Sequence, residues 1–226
     1  KCILFLHSTR NKHFIDGIIT SLIALFAYEI WADSEETFIR RINSLYIFRF
    51  QKNLILKKNK KRIISFITKK IIPLKQDHCK PAFIYWGRLC PEKRIDKSIE
   101  LFSKIYMINK NSTFLIIGPD YGAKNKIYKK IIKLGLEKNV SVIDFISFKK
   151  ITKYAKKASF FIQLSNYEGM AMSVTESMQL GLIPLVTNVG QIRYYCKNLQ
   201  NAFIYNENDR EIIKNIFELI NSKEKY

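Results

Sequence analysis

The strongest constraint in this 226-residue sequence is a regular alternation, from residue 83 onward, of short apolar runs with segments of helical spacing. The apolar runs predict buried strands, and the segments between them predict helices. This order is typical of a parallel sheet covered by helices on both faces, an α/β fold. The predicted strands are 83–86, 113–117, 140–143, 160–164, 183–186 and 202–205, and the predicted helices are 95–107, 121–134, 147–157, 172–180 and 209–220.

The expected position of a ligand site follows from this arrangement. In parallel sheets of this kind, ligands bind beyond the carboxyl ends of the strands. Arg88, Gly118, Ile146 and Glu168 all follow predicted strands and would therefore share that edge of the sheet.

Two carboxylates eight positions apart, Glu168 and Glu176, stand on either side of a predicted helix start near Met172. The unbonded N–H groups of a helix start are electropositive and bind phosphate well. Acidic side chains on both sides of a phosphate site suit a ligand with a diphosphate between two sets of hydroxyls, which describes a nucleotide-sugar. The alternative interpretation is a surface Glu168 and a first-turn Glu176 that only complements the helix dipole.

Two further stretches flank this pair. The segment from Phe83 to Asp96 combines an apolar strand, a glycine turn and two cations, Arg88 and Lys93. Arginine offers a planar fork of donors and lysine a mobile point charge, so the pair suits the two phosphates of a diphosphate. The segment from Gly181 to Gly190 predicts a helix stop, a buried strand and a glycine-closed loop.

Together these stretches resemble the retaining glycosyltransferases of the GT-B fold, in particular glycosyltransferase family 4. The fingerprint of that family is G-R-x-x-x-x-K-G, a strand ending in Gly-Pro or Gly-x-Gly, E-G with a second Glu seven residues after the Gly, and G-x-P-V-V-x-T-x-x-G. The resemblance covers about residues 80–226. The matching residues are Gly87-Arg88 with Lys93, Ile117-Gly118-Pro119-Asp120, Glu168-Gly169 with Glu176, and Gly181 to Gly190.

The resemblance implies a role for each matching residue. Arg88 and Lys93 would neutralise the diphosphate and stabilise the departing nucleotide. Glu168 would hold the hydroxyls of the donor sugar, and Glu176 those of the ribose. The family normally needs no metal, and the nucleotide-sugar is a substrate rather than a cofactor. The other implied contacts to the donor are Gly87, Gly118, which would allow close approach, the backbone near Ile146 and Phe148, which would meet the base, and the backbone of Gly169, Met170, Ala171 and Met172.

The resemblance also implies two domains of the GT-B type. Residues 1–79 would be a partial N-terminal, acceptor-side Rossmann-like domain with a linker, and residues 80–226 the C-terminal nucleotide-sugar domain. Ile3 to His7 resembles the strand that ends in a histidine facing the donor sugar, although His7 is equally interpreted as an ordinary strand-end histidine. The chain would then begin partway through the first domain, so we expect it to be weakly active or inactive alone. The next expected elements are a helix at 14–26, a strand at 28–31, a turn at 32–34 and a helix at 35–42.

Three positions depart from the family pattern. The segment from Ile71 to Asp77 lacks the Asn-Gly-x-Asp turn that usually precedes the linker. Met170-Ala171 stands where the family commonly has Gly or Ser-Phe-Gly, and the extra methyl group would narrow the approach of the ligand. Gln191 follows Gly190 where Gly-Gly is frequent.

The net charge of +20 is spread along the chain, with +9 up to Cys79 and +11 beyond it. The densest cluster is Lys57 to Arg62, which lies between apolar residues and suits an anionic membrane surface. A solvated helix face is the alternative interpretation of this cluster. The uncharged run from Gly17 to Tyr28 is too short to cross a bilayer, which takes about 20 residues. The sequence contains no motif of the kind that reads nucleic-acid bases, so it does not predict a nucleic-acid partner.

The cysteines and the start of the chain indicate the compartment. Cys2, Cys79, Cys90 and Cys196 have no metal-ligand spacing and are typical of reduced intracellular thiols. No secretory signal pattern is present. These features favour a cytoplasmic protein, either in solution or peripheral on the inner face of the membrane.

The resulting hypothesis is a glycosyltransferase that moves a sugar from a nucleotide-diphosphate donor to a glycan or lipid-linked acceptor. The resemblance implies retention of configuration and a role in cell-surface polysaccharide synthesis. Two alternatives stay open. One is a non-catalytic GT-B-like protein that binds nucleotides or acts as a membrane-associated partner, and the other is a basic protein that binds nucleic acid.

Overall fold

A computed structural model describes residues 3–6, 14–44, 53, 61–64, 71–74 and 81–222. The chain divides into two compact units, one made of residues 1–67 with 168–171 and the other of residues 68–167 with 172–226. His7 and residues 57–60 and 75–77 lie outside the described residues, so what the sequence predicts for them stays a prediction. The roles of the two predicted domains also stay predictions.

The first four described elements of the first unit follow the order that the sequence predicts, and the fifth, a strand, has no sequence prediction. Its described elements are β1 (Ile3–Leu6), α1 (Phe14–Phe26), β2 (Glu29–Ala32), α2 (Glu35–Asn43) and β3 (Lys61–Ile63). The strands form a parallel sheet in the order β1-β2-β3. Ile30 at the centre of this sheet packs with Leu6, Phe38 and Ile42 in one hydrophobic cluster. The hydroxyl of Ser34 accepts the N–H of Thr37 at 2.9 Å and so caps the start of α2.

The structure describes only the end of the basic cluster, and there it contradicts the interpretation of the cluster as a helix face. Lys61 and Arg62 lie in the strand β3 and not on a helix face. Lys61 forms an ion pair with Glu35, and Arg62 forms one with Glu29 at 2.9 Å. These two positive charges are therefore balanced by carboxylates of the same unit. Within the described part of the chain, no helix has both the length and the apolar character that a bilayer crossing requires.

The second unit is built on a six-stranded parallel sheet with the order β6-β5-β4-β7-β8-β9. The chain starts at the central β4, moves outward to β6, returns, and continues from β7 to β9 on the other side. The direction of winding thus reverses between β4 and β7. The elements are β4 (Ala82–Trp86), α3 (Ile95–Ile108), β5 (Thr113–Ile117), α4 (Lys124–Lys133), β6 (Val140–Ile143), α5 (Phe148–Ala155), β7 (Phe160–Gln163), α6 (Met172–Gln179), β8 (Ile183–Thr187), α7 (Ile192–Tyr195), β9 (Phe203–Tyr205) and α8 (Asp209–Asn221).

Aromatic side chains form the centre of this unit. Phe83 on β4 stacks on Phe160 of β7 with ring centroids 5.1 Å apart, and it meets Phe102 of α3 edge to face at 5.8 Å. All four residues of β7 are buried, because helices cover both faces of the sheet. The prediction of an α/β fold with a covered parallel sheet is therefore confirmed.

The strands and helices that the sequence predicts between residues 83 and 220 are all present, with shifted ends. The helix predicted to begin at Tyr121 begins at Lys124. The cause is Asp120, whose carboxylate accepts the N–H groups of Gly122, Ala123 and Lys124 at 2.8 to 3.1 Å and holds a turn ahead of the helix. Two short elements lack a sequence prediction, namely α7 and a 3₁₀ turn at Pro91–Lys93.

Two glycines allow the ends of β4 and β5 to approach each other. An ideal Cβ on Gly118 would lie 1.7 Å from the carbonyl oxygen of Gly87. Any side chain at 118 would therefore collide with backbone that cannot move independently of the sheet. The structure thus supplies a packing reason for Gly118, whereas the predicted close approach of a ligand there stays a prediction.

Replacing this glycine should be much more costly than replacing a glycine in open space. We expect Gly118→Ala to lower the free energy of unfolding by at least about 3 kcal/mol, because the methyl group forces two strand ends apart. Gly135→Ala is the matched control, since its φ is +62° and an added Cβ meets nothing within 4 Å. It should cost about 1 kcal/mol for the left-handed backbone alone. Urea unfolding of the two variants checks this, and equal losses would refute the packing argument.

Candidate functional site

The loops that follow β4, β5, β6 and β7 meet at the carboxyl edge of the second unit's sheet. The reversal of winding lies between β4 and β7, and such a reversal opens a crevice between the loops on either side. Arg88 follows β4, Gly118 follows β5 and Ile146 follows β6. The edge that the sequence predicts for the site is therefore the edge on which these three residues stand.

The loop after β4 holds Arg88 by contacts on both sides. The hydroxyl of Tyr85 donates to the carbonyl of Arg88 at 2.9 Å, and the N–H of Leu89 donates to the carbonyl of Pro119 at 2.9 Å. The guanidinium of Arg88 lies 5.6 Å from the ring centre of Tyr121. A cation over an aromatic face is attracted by about 0.5–1 kcal/mol at an exposed site. Arg88 is thus an exposed cation on a fixed loop.

Lys93 lies at the end of the 3₁₀ turn that follows Arg88. Its N–H donates to the carbonyl of Cys90 at 3.1 Å, and its side chain is half-buried. The next residue, Arg94, has a φ of +47° and turns the chain into α3. Arg88 and Lys93 therefore belong to one short connection between β4 and α3. Their joint grip on a diphosphate stays a prediction.

Two residues that sequence reasoning missed join this connection to the loop after β7. The hydroxyl of Tyr167 donates to Oε1 of Glu92 at 3.0 Å, and the N–H of Asn166 donates to the carbonyl of Glu92 at 2.9 Å. Glu92 directly precedes Lys93 in the sequence. Tyr167 directly precedes Glu168. The two bonds therefore hold the 3₁₀ turn that bears Lys93 beside the residues that directly precede Glu168.

The start of α6 is bound to the strands beneath it. Ser173 in its first turn donates to the buried side chain of Gln163 at 2.8 Å. The hydroxyl of Thr187 at the end of β8 donates to the carbonyl of Ser165 at 2.6 Å. Because Met172 begins the helix, its first N–H groups have no partner within the helix, as the sequence predicts for a phosphate site.

The four residues ahead of α6, Glu168 to Ala171, belong to the first unit. The Glu168 side chain is buried, with 7% of its surface exposed. A Cβ on Gly169 would lie 2.5 Å from Oδ2 of the buried Asp33, so the neighbouring carboxylate leaves room only for glycine. Ala171 has a φ of +55°, a conformation that costs a residue with a Cβ about 1–2 kcal/mol. Alanine therefore replaces glycine here at a cost in backbone strain.

Glu176 lies in the second turn of α6 and is half-buried. The indole N–H of the buried Trp86 donates to its Oε2 at 2.9 Å. Burial raises the pKa of the Glu176 carboxyl above its ordinary value of 4.5, and the hydrogen bond from Trp86 opposes that rise. Sequence reasoning selected Glu176 but missed Trp86, which is the last residue of β4.

Most of the remaining predicted residues lie in the second unit, near the ends of its strands and helices. Ile146 is half-buried in the loop after β6, and Phe148 is the first residue of α5 and is exposed. Gly87 directly follows β4 and donates its N–H to the carbonyl of Ile117 at 3.0 Å. Met170, which precedes Ala171, is half-buried. Among the described residues, no group of three or more His, Cys, Asp or Glu side chains is placed to hold a metal ion.

Comparison with known protein families identifies the family to which the chain belongs. A model of the family described as "Glycosyl transferases group 1" matches residues 66–226. The chain belongs to this family. Among curated relatives, an uncharacterized glycosyltransferase of Methanocaldococcus jannaschii is 27% identical over 166 residues, which cover 72% of this chain and 44% of the relative. This chain thus spans less than half of the relative's length.

Two other glycosyltransferases are similar over different parts of the chain. The GDP-mannose:cellobiosyl-diphosphopolyprenol alpha-mannosyltransferase of Xanthomonas campestris is 26% identical over 109 residues, which cover 48% of this chain and 29% of that enzyme. The crystal structure of Anabaena HepE in complex with UDP and glucose superposes with a TM-score of 0.78 at 16% identity, over 99% of this chain and 62% of HepE. The fold of this group 1 member is accordingly that of the GT-B glycosyltransferases.

The bond between Tyr167 and Glu92 should contribute measurably to stability. Tyr167→Phe removes the donor and leaves a carboxylate short of one hydrogen bond, so we expect a loss of about 1.5 kcal/mol in the free energy of unfolding. Tyr194→Phe is the control, because Tyr194 is exposed and should tolerate the change within about 0.5 kcal/mol. A double-mutant cycle with Glu92→Ala, which removes the acceptor, should show coupling of about 1 kcal/mol in urea unfolding. Additive effects would mean that the bond does not form.

The environment of Glu176 predicts a pH-dependent gain of stability on neutralisation. A carboxyl whose pKa is raised by folding binds its proton more tightly in the folded state, so it costs the wild type stability as pH rises through the folded pKa. Glu176→Gln should therefore match the wild type below about pH 4.5 and exceed it at neutral pH, since the amide oxygen still accepts from Trp86. Glu137→Gln, at an exposed position, should show no such trend. The check is urea unfolding from acid to neutral pH, and a gain that is independent of pH would contradict the assignment.

Proposed function

We propose that this protein transfers a sugar from a nucleoside-diphosphate donor to a glycan or lipid-linked acceptor with retention of anomeric configuration, as in glycosyltransferase family 4. The observation that carries the proposal is the pair of hydrogen bonds from Asn166 and Tyr167 to Glu92. They join the turn that bears Lys93 to the loop that leads into α6. A cation and a helix start are thereby held at one edge of the sheet, which suits a diphosphate.

In this proposal both side chains and backbone groups bind the negatively charged diphosphate of the donor. Arg88 and Lys93 bind the two phosphates, and the first N–H groups of α6 add the positive end of the helix dipole. Loss of the nucleoside diphosphate creates negative charge on the leaving group. Preorganised positive groups that face this charge lower the barrier, and this electrostatic effect is usually the largest single contribution to catalysis. No resident metal is needed, because the two cations supply the charge.

The carboxylates bind the two ends of the donor. Glu176, held by Trp86, accepts hydrogen bonds from the ribose hydroxyls, and Glu168 accepts them from the sugar. The raised pKa of Glu176 fits this role, because hydroxyl donors would supply the stabilisation that burial removes from the carboxylate. The backbone near Ile146 and Phe148 meets the base. The role of His7 toward the donor sugar is implied by the family resemblance alone, since His7 lies outside the described residues.

The relatives support the choice of substrate class. The name of the Xanthomonas enzyme specifies GDP-mannose as donor and a diphosphopolyprenol-linked acceptor, and HepE was crystallised with UDP and glucose. We infer a lipid-linked or glycan acceptor of a cell-surface polysaccharide pathway for this chain. A lipid-linked acceptor would place the reaction at the cytoplasmic face of a membrane, where the protein would be peripheral.

Binding of nucleoside diphosphates tests the proposal directly. A ligand at about 100 times its dissociation constant stabilises the folded state by about 2.7 kcal/mol. We expect UDP or GDP to raise the melting temperature in the presence of EDTA, and Arg88→Ala or Lys93→Ala to weaken binding about 10- to 100-fold, since each removes a charge-assisted bond. Arg210→Ala, an exposed arginine on α8, serves as the control and should bind normally.

Two results would contradict the proposal. One is a complete lack of stabilisation by any nucleoside diphosphate. The other is a stabilisation that survives Arg88→Ala and Glu176→Ala together, since the ligand would then occupy another part of the protein.

A further inference from the structure

The helix α5 presents a face made almost entirely of lysine. Ile151 and Ala155 are its buried residues. The other side of the helix and the two positions after it carry exposed lysines, which we call the α5 lysine face. These are Lys149, Lys150, Lys153, Lys156 and Lys157.

Part of the charge on this face opposes the stability of the helix that carries it. Lys149 and Lys150 lie in the first turn, where the helix dipole favours acidic side chains and where none is present. Lys149 and Lys153 are four positions apart, and like charges at that spacing repel. No acidic residue occurs between Asp144 and Glu168 in the sequence. The first-turn lysines and the repelling pair therefore cost the helix stability, although Lys153 in the last turn complements the dipole. An anionic partner would relieve the repulsion.

The lysines of the preceding helix behave differently. On α4 and at its start, Lys124 pairs with Asp144 at 2.6 Å, Lys126 pairs with Asp96 at 2.7 Å, and Lys130 pairs with Glu100. Within the described part of the chain, none of the five lysines of the α5 lysine face forms an ion pair. The two helices also lie on opposite faces of the sheet, because the chain enters β6 from one side and leaves it toward β7 in the reverse direction.

Aromatic side chains stand among these lysines. Phe145, in the loop before α5, is 73% exposed, Tyr154 is 43% exposed and Phe148 is 36% exposed. Exposed aromatic side chains next to lysines match the boundary of a lipid bilayer, where rings enter the headgroup region and ammonium groups meet lipid phosphates. A nucleic-acid duplex would use the lysines but would leave Phe145 without an apolar environment.

We propose that the α5 lysine face, with Phe145 and Tyr154, docks the protein on an anionic lipid surface. The proposal deepens the proposed function and in part rests on it, since a lipid-linked acceptor is reached only at a membrane. Docking there would bring the start of α5, and with it the carboxyl edge of the sheet, toward the bilayer. This surface differs from the cluster at residues 57–62, whose described members Lys61 and Arg62 are paired with carboxylates.

The experiment is cosedimentation of the 226-residue protein with phosphatidylcholine vesicles that contain or lack phosphatidylglycerol. The test variant is Lys149→Gln/Lys153→Gln/Lys156→Gln, a single stripe along α5. The matched control is Lys126→Gln/Lys129→Gln/Lys133→Gln, a stripe of the same length and charge along α4. Glutamine has nearly the helix propensity of lysine, so both variants should fold, which circular dichroism verifies.

We expect binding only to vesicles with phosphatidylglycerol and weakening of that binding by salt. Each lysine near an anionic bilayer contributes about 1 kcal/mol, so the α5 variant should bind roughly a hundredfold more weakly. The α4 variant should bind almost as the wild type does. Equal losses of vesicle binding in the two variants would show a general effect of net charge and overturn the proposal. Wild-type protein that does not bind the anionic vesicles would also overturn it.

Two further measurements separate this proposal from other outcomes. A DNA duplex that binds more tightly than the vesicles at the same salt, with the same dependence on the α5 lysines, would assign the surface to nucleic acid and overturn the lipid proposal. Thermal stabilisation by UDP or GDP should be unchanged in the α5 variant. If the vesicles bind as expected but no nucleotide does, the lipid surface stands and the proposed enzymatic function fails.

Discussion

The pairing of β4 with β7 is the interaction on which the second unit depends. Phe83 is in register with Phe160 across these strands, and the two rings stack at the centre of the core. Because the winding of the sheet reverses at this pair, the loops after the two strands emerge side by side. Only that neighbourhood allows Tyr167 and Asn166 to bond to Glu92. The same contact that closes the core therefore also assembles the candidate site.

Two features at the start of α6 lower stability and agree with a binding role. The carboxyl group of Glu176 is half-buried with a raised pKa, although a glutamine could accept the same bond from Trp86. Ala171 keeps a left-handed backbone conformation that glycine would adopt without strain. Strain and buried charge of this kind collect at functional sites, where a ligand supplies the missing stabilisation.

The lysines of the second unit occur in two different settings. On α4, lysines pair with carboxylates of α3 and of the loop after β6, and they add to the cohesion of the unit. On α5, lysines face solvent with no such partners among the described residues. Residues 124–157 contain eleven lysines against Glu137 and Asp144, so they carry +9 of the +11 found beyond Cys79. The even spread of charge inferred from the two halves of the chain thus hides a local concentration.

The sequence by itself determined the order of strands and helices, the parallel sheet and the edge on which the candidate residues stand. These properties follow from apolar runs and helical spacing, which are local, and from the rule that parallel strands point the same way. Only the tertiary structure decided that Glu92 meets Tyr167, 75 positions away, that Trp86 holds Glu176 across 90 positions, and that Gly118 faces the carbonyl of Gly87. The reason is physical: contacts between residues far apart in the chain depend on how whole elements pack, and no local pattern of side chains encodes that packing.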